Sequence, residues 1–445
     1  MHAIEVLARY ASEFNRQQLT TEVLHHAKRA VIDWYASLFP GLATEPVQLL
    51  ERTVADDLDR GGAFLAHGRR ATARAAALIN GTSAHAAEVD DSFRDAMYHP
   101  GAATIAAALA AGHDARASGL EFLRGVVLAY EVSTRIGVVM GRPHYKFWHS
   151  TGTVGTFGAA AAAGGLLRLD EAAFAHALAT AATFAAGLQQ AFRMDSMSKP
   201  LHAGRAAEAG LLAAQLARNG ITGSLDVLDG EAGFGRAMSN DPDWSKLGAT
   251  LGQDFHITRL TFKNHIGCGH TFAAIDGALE LQRRHGIRPD DIESVHIGTY
   301  RPALEIACYE RPASSNEARF SLRYVVASAL AHGSVRLAAY EPARLNDPVT
   351  RELMERVNVD VDPELDAAFP GQRAARVEVV TRAGQRFGYL QPNRKGDPEQ
   401  PLTDAELDSK FLELSSPVTG ADTAKTLLSR LWRLEASELP GFKGS

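Results

Sequence analysis

The hydrophobic period of the chain changes once, and that change divides it. From residue 1 to about 255, apolar residues recur at three and four positions, as in LTTEVLHHAKRAVIDWYASLF, LEFLRGVVLAYEVSTRIGVVM and RAAEAGLLAAQLARNG, and Gly or Asn-Gly closes several runs. That pattern predicts helices. Ala and Gly crowd the faces of GAATIAAALAAG and TVGTFGAAAAAGGLLRL, which lets neighbouring helices approach closely. After about residue 286, IESVHIGTY, RVNVDVD and RVEVVTRAGQRFGYL alternate as strands, the last with Ala383-Gly384 as its hairpin turn. RFSLRYVVASALAHG, between them, reads as a buried helix. Thr403 with Glu406 makes a capping box, and the helices beyond it are placed back on the first domain. The expected fold is mainly α: a large all-α domain from residues 1–260, a smaller α+β domain from 261–398, and closing helices from 399–445.

Length supports more than one domain, because single cores stop growing near ~250–300 residues and this chain has 445. Lys and Arg number 46 against 52 Asp and Glu, a net charge of −6, and no basic stripe or aromatic ladder follows a phosphate backbone. Nucleic acid is not an expected partner. With only Cys268 and Cys308, the chain has too few thiols for a disulfide framework, a Cys-ligated zinc site or an iron–sulfur cluster. The first segment, MHAIEVLARYASEFNRQQLT, carries charges at helical spacing and lacks the apolar core of a signal peptide, so a cytoplasmic setting is expected. Ser150 to Leu167 is uncharged and nearly long enough to span a bilayer, but its Ala, Gly and Thr favour insertion little. It reads as an interior helix, and no membrane partner is expected.

Candidate chemistry gathers where helices start. His99 stands before Pro100, a good first helical residue; His149 precedes Ser150 and Thr151, either able to cap; Lys199 precedes Pro200. His270, with Lys263 and Cys268 upstream, enters the run that ends near Gly286. A helix N-terminus offers free N–H groups and about half a positive charge, so it attracts anions and biases nearby imidazoles towards neutrality. Repeated, the arrangement suits a small carboxylate substrate, with neutral histidine as general base and Lys199, Lys263 and Arg193 as cationic contacts.

Each residue also has a plainer reading. A histidine at a helix start is more often a surface or capping residue, and Cys268 in GCGH is more often a buried inert thiol than a nucleophile. His265, Asp195 and His202 carry weaker signals. The acids Glu88, Asp90, Asp91 and Asp95 are expected to cap helices or to orient His99, through Asp90 or Asp91, rather than to bind metal, since no histidine pair has helical metal-site spacing. GxGxxG, GxxxxGK[ST] and GxSxG are all absent, which removes nucleotide, P-loop and serine-hydrolase readings. Two alternatives stay open: a metal-dependent hydrolase built on Asp90, Asp91 and His99, and a non-enzymatic helical scaffold. Against the scaffold, the segments between helix starts do not repeat.

AHAAEVDDSFRDAMYHPGAA, FWHSTGTVGTFGAAAAAGGLL, SKPLHAGRAAEAGLLAAQLARNGI, FKNHIGCGHTFAAIDGALEL, ARFSLRYVVASAL and, more loosely, KGDPEQPLTDAELDSKF resemble, in order, the motifs of the MmgE/PrpD family. That group includes 2-methylcitrate dehydratase, cis-aconitate decarboxylase and iminodisuccinate epimerase. The resemblance implies a helical domain with an inserted α+β lid, a homodimer, and a cofactor-free, metal-free pocket between the domains. By position it implies catalytic roles for His99, His149, Lys199, Asp90 and Asp91, and substrate contacts from Lys263, His270, Ser92, Glu88 and Cys268, beside the Arg193 contact read from the residues themselves. The acid loop is one residue longer than in the decarboxylase pattern, which bears on Glu88 and Ser92, and Cys268 stands where some members have histidine. The implied chemistry is movement of a proton beside a carboxylate or carbonyl of a di- or tricarboxylate. Dehydration, decarboxylation and epimerisation diverge after that step.

Overall fold

A computed structural model describes residues 1–192 and 196–439. Its fold is mainly α, and the chain divides into two compact units: Met1–Phe262 with Thr403–Ser445, and Lys263–Leu402.

In the first unit, the helices that matter for the site are α1 (Thr21–Leu42), α2 (Ala73–Ala86), α3 (Pro100–Ala115), α4 (Gly119–Tyr145), α5 (Ser150–Leu166) and α6 (Ser198–Arg218). A small antiparallel hairpin, β1 (Leu58–Phe64) with β2 (Arg70–Ala71), lies between α1 and α2 in the chain. Every residue of α5 is buried, so the uncharged segment is indeed an interior helix. Among the described residues no helix is long and apolar enough to cross a membrane. Small residues set the helix spacing. A Cβ on Gly204 would lie 2.1 Å from Thr82 Oγ1 and 2.2 Å from the Leu78 carbonyl oxygen, and one on Gly210 would lie 2.5 Å from the Thr156 carbonyl oxygen. Glycine in α6 therefore lets the α2 and α5 backbones come within reach.

Residues after 403 belong to this same unit. Thr403 caps the Asp404–Thr419 helix, accepting from the Glu406 N–H, while Glu406 reaches back to the Thr403 N–H at 2.8 Å. That helix carries a lysine into the interior: Lys410 Nζ lies 2.6 Å from Asp33 Oδ1 on α1 and 3.0 Å from the Val89 carbonyl oxygen, and neither side chain of the ion pair is exposed. A charge pair without water persists only when both partners are also hydrogen-bonded. Here it fixes the backbone immediately before Asp90.

The second unit holds a four-stranded sheet in the order β4-β3-β5-β6, formed by β3 (Ile292–Thr299), β4 (Val357–Val361), β5 (Ala375–Thr381) and β6 (Arg386–Gln391). β3 runs parallel to β4, with Val295 opposite Val357, and antiparallel to β5. The turn between β5 and β6 uses Gly384 at φ +79°, whose N–H donates to the Thr381 carbonyl oxygen at 2.8 Å. The helices Phe272–His285 and Leu322–His332 each end on a left-handed glycine, Gly286 and Gly333.

Candidate active site

Four imidazoles of the first unit pack together at the ends of four helices. His85 closes α2, His99 and His149 are the N-cap residues of α3 and α5, and His202 lies in the first turns of α6. Ring centroids are 5.1 Å apart for His85 and His99, 5.3 Å for His85 and His149, and 5.2 Å for His149 and His202. The two helix starts are also tied directly, since the His99 N–H donates to Thr151 Oγ1 at 3.3 Å. The α5 cap is not the one expected: the helix begins at Ser150 with His149 as N-cap and no side-chain cap. Thr151 is spent on His99 instead.

The acid loop places its carboxylates beneath this cluster. Asp90 and Asp91 are 1% and 3% exposed, whereas Asp95 points to solvent. Asp90 Oδ2 accepts from His85 Nδ1 at 2.8 Å and stands 3.5 Å from His99 Nδ1. The Asp91 carboxylate faces away from His99: Oδ1 accepts the Gly101 N–H at 3.0 Å, in the first turn of α3, and Oδ2 accepts from the Tyr130 hydroxyl at 2.7 Å. What holds His99 is the Asp91 main chain, whose carbonyl oxygen accepts from His99 Nδ1 at 2.7 Å. Since a carbonyl cannot donate, the ring proton sits on Nδ1 and the lone pair on Nε2. Burial, with Asp33 and Asp90 adding repulsion, pushes the Asp91 carboxyl up to about 8, against the hydrogen bonds from Tyr130 and Gly101.

His149 is 1% exposed, and its proton affinity is held well below the ordinary 6.5 by burial first, then by the nearby His85, His99, Lys199 and His202. It is therefore a neutral base at pH 7. His202 is lowered in the same direction, by burial and then by His85 and Lys199. Lys199 lies inside α6, one residue past its start, and its Nζ pairs with Glu88 Oε1 at 2.8 Å. Glu88 adopts a left-handed backbone, φ +58°, and its side chain is 52% exposed, so this ion pair sits at the wet edge of the cluster. Ser92 contributes its backbone to a bridge with Thr261. Arg193 and Asp195 lie outside the described residues.

The remaining candidates belong to the second unit and form their own group. His270 Nδ1 lies 2.9 Å from the Tyr300 hydroxyl, and burial together with Arg373 and Arg394 brings its pKa down to about 4. Cys268 is buried and its thiol is pushed up by that burial, the wrong direction for a nucleophilic thiolate. His265 is a core residue, its Nε2 bonded to Asp276 at 2.8 Å. Lys263 is the residue with which this unit opens.

Sequence reasoning missed His85, Tyr130 and Lys410. His85 ends a helix rather than opening one, and its only local mark is the acid five positions later. The cluster bears on the metal question too. One donor atom each from His85, Asp90 and His99 lies within 4.8 Å of the others, a spacing a divalent ion could use. Both Nδ1 atoms, however, already donate within the protein, to Asp90 and to the Asp91 carbonyl. Those bonds orient both rings and leave His85 Nε2 without a hydrogen bond among the described residues.

Comparison with known proteins places these residues in a family context. The family profile described as MmgE/PrpD N-terminal domain matches residues 5–247, and that described as MmgE/PrpD C-terminal domain matches residues 265–434. Relatives include a cis-aconitate decarboxylase-like protein, oryM, of Aspergillus oryzae, 28% identical across 97% of this chain and 94% of that protein. The cis-aconitate decarboxylase of Homo sapiens is 28% identical across 94% of this chain and 89% of its own length. That of Mus musculus is 27% identical across 94% and 88%.

Proposed function

This chain belongs to the MmgE/PrpD family, and from that premise we propose that it is a lyase that moves a proton beside a carboxylate of a small di- or tricarboxylic acid, without a redox cofactor. The single observation that carries the reading is the state of His149: a neutral, buried imidazole in contact with His202 and with the Asp90-bound His85. Such a ring accepts a proton at neutral pH, and His99, with its lone pair on Nε2, offers a second acceptor beside it. Lys199 and the starts of α3 and α5 supply positive charge where a substrate carboxylate or an enolate-like intermediate has to be held. Asp91, carrying its own proton near pH 7, adds no negative charge that would repel such a substrate.

Cis-aconitate is the first substrate to test, because the relatives named above are cis-aconitate decarboxylases or decarboxylase-like. In that reaction one carbon of the double bond gains a proton and one carboxylate leaves as carbon dioxide. The experiment incubates purified protein in heavy water with cis-aconitate, 2-methylcitrate or iminodisuccinate and follows carbon-bound deuterium and products by NMR. Loss of carbon dioxide identifies a decarboxylase and loss of water a dehydratase, while exchange without net conversion identifies an epimerase. His99→Ala and Lys199→Ala abolish the reaction while remaining folded. Full turnover in both variants overturns the assignment.

A further inference from the structure

His85 stands in the stretch AHAAEVDDSFRDAMYHPGAA, yet it has no role of its own in the proposed chemistry. It is 2% exposed, its Nδ1 is fixed on Asp90 at 2.8 Å, and its Nε2 is buried without a hydrogen-bond partner among the described residues. Leaving such a nitrogen dry costs stability. A leucine at this position would fill the space without that cost. The ring also touches both candidate bases, with centroids 5.1 Å from His99 and 5.3 Å from His149.

We propose that His85 is a positioning residue for the two bases: pinned by Asp90, its ring packs against both His99 and His149 and fixes the orientation of each. The inference rests on the proposed proton chemistry and deepens it. Asp90 is shared, at 2.8 Å from His85 and 3.5 Å from His99. With His85 donating from Nδ1, the Asp90 carboxylate stands between the two rings, and its negative charge is available to His99 when His99 takes up a proton. The arrangement follows the logic of an acid–histidine pair that orients a reacting group, with the imidazole here acting on other imidazoles. The charged and titratable groups around His149 are His85 from α2, His99 and Asp90 from the acid loop, and Lys199 and His202 from α6, with Glu88 paired to Lys199.

The test uses His85→Asn, whose side-chain amide can still donate to Asp90, and His85→Gln. Both are expected to lower kcat by about tenfold or more while KM stays within about twofold. They also move the acid limb of the kcat/KM profile to higher pH, because His149 loses a neighbour that lowers its proton affinity. A purely structural role would not move that limb. Wild-type kcat with an unmoved limb overturns the proposal. Should the variants fail to fold, the wild-type protein still decides: residue-assigned nitrogen NMR of histidine-labelled protein at neutral pH must show Nδ1 protonated on both His85 and His99. A bare Nδ1 on either ring overturns the inference. A wild-type protein inert on all three carboxylates would instead overturn the proposed function, and the tautomer assignment would then stand as a separate result.

Discussion

His149 and His202 share one proton across the 3.0 Å between their Nδ1 atoms. One ring donates and the other accepts, so the accepting ring cannot take a proton on Nδ1 without breaking the bond. If neutral His149 is the base, activity is retained while it stays neutral. Its pKa lies well below 6.5, chiefly through burial, so kcat/KM should stay flat as pH falls through 6.5 and decline only further down. His202→Phe removes one of the neighbours that hold His149 down and should move that decline to higher pH. A pH–rate series on the two proteins checks both expectations.

Stability follows the same sign. A histidine whose folded pKa is lowered binds fewer protons when folded, so stability is lost as pH falls from about 6.5 towards the folded pKa. His144 and His256 are both brought down to about 4, first by burial, and both are buried. Together with His149 they should make denaturant midpoints fall steadily between pH 6.5 and 4. His144→Gln flattens the slope by up to about 3 kcal/mol over that interval.

Lys199 is tied to Glu88 at 2.8 Å, so a substrate carboxylate must displace a carboxylate already there. Lys199→Met removes that cation and is expected to lower kcat/KM by at least about 10–100-fold, the worth of a hydrogen bond to a charged group. Glu88→Gln weakens the competitor and should lower KM or leave it unchanged. Steady-state kinetics on the pair separates a binding lysine from one that only anchors the loop.

Lys410→Met takes from buried Asp33 the ammonium that lies 2.6 Å from its Oδ1, and removing one partner of a buried pair costs about 3–5 kcal/mol. Adding Asp33→Leu to Lys410→Met should recover much of that loss, a coupling that thermal unfolding of the two single variants and the double variant measures. Activity in the double variant should stay reduced, since the Val89 carbonyl that positions Asp90 loses its donor.

The proposed proton chemistry routes no step through a metal ion, so dialysis against a chelator is expected to leave turnover unchanged. Stoichiometric zinc or manganese by mass spectrometry, with activity lost on its removal, would instead favour the hydrolase reading of the acid loop.

How much of this the sequence revealed depended on where each residue sits. His99, His149 and Lys199 stood out because a proline or a hydroxyl residue beside each marks the start of a helix, and local punctuation survives without knowledge of tertiary contacts. The strand alternation around Ile292–Thr299 and the Ala383-Gly384 turn were legible for the same reason. His85 was not, because at the end of α2 it obeys the helical pattern and becomes significant only when α3 and α5 bring their first residues to it. The acid loop was half legible: one of its acids, Asp90, does stand 3.5 Å from His99, yet the atom that orients that ring is a main-chain oxygen of Asp91, which no side-chain pattern encodes. Lys410 reads as an ordinary helix lysine, since its partner is 377 positions away.

That separation has a consequence for synthesis of the protein. A ribosome that has reached residue 400 has already made every imidazole of the cluster, but not the ammonium group that neutralises Asp33. The nascent chain must hold that carboxylate, and the loop above it, in some provisional arrangement until the whole Lys263–Leu402 unit has been translated and the next helix emerges. Assembly of the reaction centre is thereby postponed to a late moment of biosynthesis, and truncated products made before that moment would carry the residues of the site without its geometry.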